Sequence, residues 1–404
     1  MTILCVGAGF SGAVIAHELA EAGLRVDVVE ARDHVAGNCH SSRDPATGVL
    51  VHRYGPHIFH TDDAQVWAYV NRFAKFHPYR HQVKTLSGGA VYSMPINLHT
   101  INQFFGRSMT PDEAKTFIAG RTVSIPQPES LEEQALSMVG PEIYEAFLKG
   151  YTEKQWGRAP SDLPASILKR LPLRFSYDDN YFFHRFQGMP EQGYTPLVTG
   201  ILDHPLIDLH LNSPFDPAMA SRYDHIFWSG PLDAWFGHDF GHLGYRTLDF
   251  SHGQARGSHQ GAPIMNYADT KTLYTRVTEH KYFAPWESHE ETVFTFETPR
   301  EFKAGDIPYY PIRLLSDKSM LTDYVARAAL TEGVTFCGRL GTYRYLDMDV
   351  TIREALETAQ AFLKLRRNDG IMPAFIHPPI PQPMACLSAL RSVEPERMSR
   401  KAVA

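Results

Sequence analysis

The spacing of apolar and polar positions divides the chain into stretches of different character. TILCV at residues 2–6 is a buried run that turns at GAGFSG into an Ala-rich stretch of helical character reaching about Gly23, and RVDVVE at 25–30 is apolar and β-branched again. A strand–helix–strand opening is therefore predicted. Between residues 97 and 170 the period becomes helical in PDEAKTFIAG, SLEEQALSMVGPEIYEAFLKGY and LPASILKRL, and Ser130 with Glu133 forms a capping box. Residues 77–95 and 225–305 favour strands: HQVKTL, AVYSM, DHIFWSG, LYTRVTEHKYF and TVFTFE are β-branched and aromatic, with turn breaks between them. VTFCG, from residue 334, predicts one more short buried strand, and a helix is expected from Met348 to about Leu365. Beyond Ile371 the chain is Pro-rich, and this tail is expected to be poorly ordered.

Composition narrows the partners. A chain of 404 residues, 43% hydrophobic, is long enough for two or three domains. Its net charge of −6 supplies no basic field for nucleic acid or an anionic membrane, so an anionic substrate would need a local cluster of Arg. Cys5, Cys39, Cys337 and Cys386 lie far apart with no CxxC, which argues against a disulfide framework or zinc site and suits a reducing cytoplasm. MTILCVGAGFSG leaves no room for a targeting segment, and no apolar run is long enough to cross a bilayer. A soluble, cytoplasmic protein is expected.

Gly7, Gly9 and Gly12 form GxGxxG between the first strand and the first helix. The first Gly allows the tight turn, the second lets backbone approach a pyrophosphate, and the third lets helix pack on strand. Glu30 ends the second strand, where a carboxylate can hold a ribose hydroxyl. The next residues, EARDHVAGN, resemble the extension of FAD-dependent amine oxidases and reductases, with Ala36 in place of the first of two glycines. Ala is tolerated there if φ stays negative. FAD is favoured over NAD on this ground. The fold class is then α/β: a Rossmann-like FAD-binding domain with a helical insertion and an antiparallel β-sheet insertion. The expected boundaries are 1–76, 186–227 and 307–370 for the FAD domain, 96–185 for the helical part, 77–95 and 228–306 for the sheet, and 371–404 for the tail.

Further motifs follow in order: YGPHIFHT (54–61), PINLHTINQFFG (95–106), YTEKQWG (151–157), DDNYFFHRFQGMPEQGYT (178–195), YTRVTEHKYF (274–283), IPYYPIR (307–313) and GRLGTYRYLDMDV (338–350). Singly they are modest. On residue type alone, His57 and His60 lack a carboxylate or cysteine to complete a metal site, so no metal is expected. Arg170 reads as a solvated helix-end charge and Arg276 as a strand-edge charge. Phe147, Tyr151 and Trp156 read as a helix core face.

In this order the motifs resemble the prokaryotic UDP-galactopyranose mutases, from residue 2 to about residue 365. The resemblance implies an isomerase that interconverts UDP-galactopyranose and UDP-galactofuranose for a cell-surface polysaccharide, active with reduced FAD and dimeric. In that chemistry flavin N5 attacks the anomeric carbon and UDP leaves, and the sugar opens through a flavin iminium and recloses. Arg170, on a mobile loop, and Arg276 are implied as cations for the diphosphate, and His60 is implied in the catalytic centre. Flavin contacts are implied for Gly7, Gly9, Phe10, Ser11, Gly12, Glu30, Ala31, Asn38, His57, Ile58, Arg339, Leu346, Asp347 and Met348. The free N–H groups at the start of the last helix would face the flavin pyrimidine oxygen. For the substrate, Tyr151 is implied as the uracil stack with Phe147 beside it, Thr152 as a nucleotide contact and Trp156 as a mobile-loop residue. Tyr181, Tyr310 and Tyr345 are implied around the diphosphate. Two departures stand out: His81, implied as a substrate contact near the sugar or nucleotide, where the family often has Asn, and Leu148 where an aromatic is frequent.

Overall fold

The computed structural model describes residues 2–170, 173–303, 305–312 and 318–380, excluding the side chains of Lys169, Arg170 and Lys318. A five-stranded sheet runs in the order Ile207–His210, Val26–Val29, Ile3–Val6, His225–Trp228, Val334–Phe336, with every pair parallel. A parallel sheet is covered on both faces, so its strands carry apolar residues continuously rather than alternately. Ile3 and Cys5 face one core with Val14 of the helix Phe10–Glu21 and with Ile352 and Phe362 of the helix Met348–Arg367. Leu4 and Val6 face the other, with Leu321 and Tyr324 of the helix Lys318–Ala329.

A seven-stranded sheet is ordered Tyr310–Pro311, Tyr245–Arg256, Glu291–Glu301, Arg276–Glu279, Ile264–Tyr267, Val83–Ser87, Ala90–Met94. It is antiparallel except where Ile264–Tyr267 pairs parallel with Val83–Ser87. The expected antiparallel insertion is therefore present, with one parallel seam where a hairpin from early in the chain docks on one from much later and no short turn dictates its direction. The twelve-residue strand Tyr245–Arg256, inside the stretch 225–305 expected to favour strands, has no clean apolar alternation in its outer half. Its ladder with Glu291–Glu301 holds it extended. At Gly253 a Cβ would lie 2.4 Å from the Phe294 ring, so any larger residue would have to displace that ring where it crosses the strand.

The helical region contains Leu98–Phe105, Pro111–Ala119, Leu131–Ile143, a π-helical turn Tyr144–Lys149, and Gly150–Trp156. The capping box of Ser130 and Glu133 is present, with a second at Thr110 and Glu113. LPASILKRL supports only a short 3-10 segment, Ala165–Arg170. The expected disorder after Ile371 is corrected for residues 371–380. There Phe336 N–H donates to Ala374 O at 2.8 Å, Thr335 Oγ1 donates to Pro373 O at 2.8 Å, and Phe375 stacks on Phe336. This segment covers the otherwise open edge of Val334–Phe336. Residues 381–404, the rest of that tail, lie outside the described residues. Among the described residues no helix is long and apolar enough to cross a membrane.

Candidate active site

The first half of the site is the turn after Ile3–Val6. Gly7 has φ +98°, and a Cβ there would lie 2.3 Å from Ser229 Oγ; a Cβ on Gly12 would lie 1.9 Å from Gly7 O. Both positions therefore require glycine on internal grounds. Gly9 does not, since the nearest atom to its Cβ would be Gly37 Cα at 3.9 Å. As the N-cap of Phe10–Glu21 it offers no side-chain cap, which leaves the start of a buried helix, with Phe10 and Ser11, open to an anion. Glu30 is buried, its Oε2 accepting from Ala8 N–H at 2.9 Å and its Oε1 from Arg32 N–H at 3.0 Å. Beside it Arg32 donates through Nη2 to Asn38 Oδ1, while its buried Nη1 has no hydrogen-bond partner. Ala31 is exposed at the mouth of this turn. Ala36 corrects the expectation: its φ is +74°, so it occupies the left-handed region. That conformation costs a residue with a Cβ about 1–2 kcal/mol. Ala36 N–H to Ala8 O and Cys39 N–H to Ala36 O, both 2.9 Å, hold it there.

The second half converges on Arg276, which starts the strand Arg276–Glu279 and sits in register between Asn266 and Glu297. Its Nε is 3.5 Å from Glu297 Oε2, an ion pair by distance without an aligned hydrogen bond, and its Nη2 is 3.5 Å from Tyr151 Oη. Burial opposes its charge, but Glu297, Tyr151 and Tyr310 outweigh burial and hold its pKa well above the ordinary value. Glu297 is itself buried and takes a 2.8 Å bond from Thr278 Oγ1. Tyr310 stacks with Tyr345 at 5.9 Å and lies 6.2 Å from Trp156, and the Arg339 guanidinium covers the Tyr345 ring at 4.8 Å. Arg339 Nη2 donates to Leu346 O at 2.7 Å, tying this cluster to Asp347, the N-cap of Met348–Arg367. Burial, with Tyr151 next, pushes the Tyr181 phenol up to about 12. Burial likewise raises Tyr310, with Tyr345 adding to it.

Histidines line a third side. His57 Nδ1 donates to Gly55 O at 2.9 Å, and burial first, Arg339 next, lowers its pKa to about 4. Ile58, next to it, is buried. His60 stacks on Phe182 at 3.7 Å, and its Nδ1 lies 3.0 Å from Nδ1 of His184, so one ring donates and the other accepts. His81 is buried, flanked by Phe182 and Phe283, and burial, then Arg276, lowers its pKa to about 3.

Other expected residues stand apart. Phe147 is 3% exposed and packed edge-on against Tyr92 and Phe104 in the helical core. Thr152 is buried. Leu148 lines an apolar cavity of about 30 Å³ with Met94, Met138, Leu168 and Leu173. Arg170 ends the 3-10 segment, and its side chain lies outside what is described.

A family model described as UDP-galactopyranose mutase matches residues 146–345, and one for an NAD(P)-binding Rossmann-like domain matches residues 5–73. A protein of Klebsiella pneumoniae named as a probable UDP-galactopyranose mutase is 55% identical over 93% of this chain and 98% of its own. The chain belongs to the UDP-galactopyranose mutase family. It is an isomerase of that family, with a Rossmann-like nucleotide-binding fold. A dTDP-fucopyranose mutase of Escherichia coli is 48% identical over 90% of this chain and 98% of its own. The crystal structure of a reduced UDP-galactopyranose mutase matches at TM-score 0.71 over 90% of this chain and 96% of that one; at 16% identity it speaks for the fold.

Four residues of this mutase-family site carry no expectation from the sequence. His184 and Phe182 lie in the quoted DDNYFFHRFQG, where only Tyr181 drew attention. Glu297 carried no signal, because only the strand register brings it to Arg276. Arg246 was missed too: buried, it donates from Nε to Gln155 O at 3.2 Å and from Nη2 to Lys154 O at 3.3 Å, capping the C-terminus of the helix that carries Tyr151 and Trp156.

Proposed function

We propose that the protein interconverts UDP-galactopyranose and UDP-galactofuranose with bound, reduced FAD, in the cytoplasm and as a homodimer. The observation that carries this reading is Arg276, a half-buried cation held by Glu297 with Tyr151, Tyr181 and Tyr310 beside it and Tyr345 stacked on Tyr310. Such a cluster suits a diphosphate, whose charge grows as it departs. The residues present fit FAD: an uncapped helix start at Gly9, a Gly7 turn that only glycine adopts without clash, Glu30 at the strand end, and the unsatisfied Arg32 Nη1 beside it. Gly7, Gly9, Ser11, Gly12, Glu30 and Asn38 would hold the adenosine and pyrophosphate, and His57, Ile58, Arg339, Leu346, Asp347 and Met348 the flavin. Bound and reduced, FAD supplies a nucleophilic N5 for the anomeric carbon. Arg276 and Arg170 stabilise the departing UDP, the tyrosines donate to its phosphates, and Tyr151 stacks on uracil. His60 faces the reacting sugar, with His81 behind it.

The test is turnover of UDP-galactofuranose by dithionite-reduced protein, followed by chromatography. Oxidised protein should be inactive, and one reduction should support many turnovers. One reductant consumed per product would overturn the reading. The 48% identity to a dTDP-fucopyranose mutase favours a second reading, a thymidine-linked 6-deoxyhexose as substrate. Higher kcat/KM on dTDP-fucopyranose than on UDP-galactopyranose, measured side by side, would select it.

A further inference from the structure

Outside the active site, the segment between the strands His225–Trp228 and Tyr245–Arg256 brings Asp233, His238 and His242 together, with their ligand-capable atoms all within 4.8 Å of one another. We propose that these three residues form a divalent transition-metal site of the zinc type, a staple for residues 231–244 that is independent of the mutase reaction.

The carboxylate comes first. Asp233 is 1% exposed, a position where an ionised group needs several partners. Its Oδ2 accepts from Leu243 N–H at 2.9 Å and lies 3.2 Å from His238 Nδ1, and Tyr245 Oη donates to Oδ1 at 3.4 Å. Leu243 and Tyr245 fix the carboxylate as outer partners fix a metal ligand. With metal–ligand bonds of about 2.0–2.1 Å, two ligands on a tetrahedral zinc lie about 3.3 Å apart. The Asp233–His238 pair already has that spacing.

The histidines fit the same purpose. His238 has φ +61°, a left-handed conformation that non-glycine residues rarely hold and that often marks a functional constraint. Two backbone bonds keep it, His238 N–H to Asp233 O at 3.0 Å and Gly241 N–H to His238 O at 2.8 Å. The turn between them brings the exposed His242 ring against the His238 ring, with centroids 4.0 Å apart. Two imidazolium rings would repel at that distance, whereas two neutral imidazoles on one cation would not. His242 is exposed, so its side chain is free to close the remaining gap. Two imidazoles and one carboxylate select zinc, cobalt, nickel or copper over calcium or magnesium, with water completing the shell. All three ligands lie within ten residues, at D-x4-H-x3-H spacing, so the site needs no domain movement to form.

The metal would lock this turn to the strand behind it. Tyr245 begins that strand and packs edge-on against Tyr343 at 5.3 Å. The experiment uses the flavin-loaded protein stripped with a chelator and dialysed. Zn2+ is titrated by calorimetry, Co2+ is followed by its ligand-field absorption, and Tm is read with and without Zn2+. Wild type should bind one Zn2+ per chain, show Co2+ bands of a histidine–carboxylate site, and gain Tm with Zn2+. H242Q and, separately, H238Q should bind at least tenfold more weakly and lose both the bands and the Tm gain. Because His242 is exposed, H242Q should keep the metal-free Tm of wild type. No binding by wild type, or equal affinity in wild type and both variants, would overturn the proposal; the second result would place the zinc on other histidines.

Discussion

Replacing Glu297 by Gln tests what holds Arg276. The change is isosteric and leaves an oxygen for Thr278 Oγ1, so it removes charge and little else. At the observed 3.5 Å, and with an effective dielectric of about 20, the Coulomb attraction is about 5 kcal/mol. Part of this is offset because the carboxylate no longer has to be desolvated, and breaking one side of a buried pair is expected to cost about 3 kcal/mol. Glu297→Gln should therefore lower the unfolding free energy of the flavin-loaded protein by about that amount in urea, with an unchanged m-value. The decisive measurement is a double-mutant cycle with Arg276→Met. If the two charges exist for each other, the double variant should lose no more stability than the worse single variant, giving a coupling of about 2 kcal/mol or more. Additive losses would refute the account and mean that Glu297 supports the sheet through Thr278 alone.

Two further outcomes follow from the geometry. His81 has its pKa lowered to about 3 by burial, so below about pH 6.5 the unfolded chain takes up a proton that the folded chain refuses, and stability is lost as pH falls through that window. His81→Asn should make urea-measured stability between about pH 6 and about pH 5 shallower by up to about 1.4 kcal/mol per pH unit; parallel slopes would refute the assignment. Gly9→Ala, whose new Cβ meets no protein atom nearer than 3.9 Å, should fold with wild-type secondary structure yet lose FAD on gel filtration, whereas Gly12→Ala, facing Gly7 O at 1.9 Å, should disturb folding itself. Full flavin occupancy in Gly9→Ala would remove the phosphate from that position.

What was legible in the sequence was whatever local pattern dictates. The apolar run at 3–6, the glycine spacing and the caps at Ser130 and Glu133 are set by neighbouring residues, and the structure has each of them. Arg276 and the tyrosines were reached through resemblance, since residues at 151, 181, 276, 310 and 345 meet only once two sheets and a helical layer are assembled. Long-range register hid the rest. Glu297 faces Arg276 because of one ladder, and the parallel seam at Val83–Ser87 joins hairpins far apart in sequence. Residue type could not settle φ at Ala36, which the hydrogen bonds to Ala8 and from Cys39 decide. The tail was misjudged because composition cannot show that Val334–Phe336 ends a sheet and needs a cover.

The pairing of Arg276 has a consequence for charge at the proposed site. An arginine fixed in a sheet and already paired with a carboxylate is preorganised, and it need not reorient when negative charge develops on a leaving diphosphate. Yet Arg276 and Glu297 together carry no net charge, and a chain of net charge −6 adds no favourable background. Tyrosines orient phosphate oxygens but do not neutralise them, and Arg339 is committed through Nη2 to Leu346 O and lies over Tyr345. The proposed function therefore calls for a second cation for the diphosphate, most useful if it arrives with the substrate, since a permanently exposed pair of arginines would repel each other. Under the proposed function that cation would be Arg170, the last residue of the 3-10 segment Ala165–Arg170. On that proposal the two arginines would do different work: Arg276, preset in the sheet, would receive developing charge, and Arg170 would complete its neutralisation.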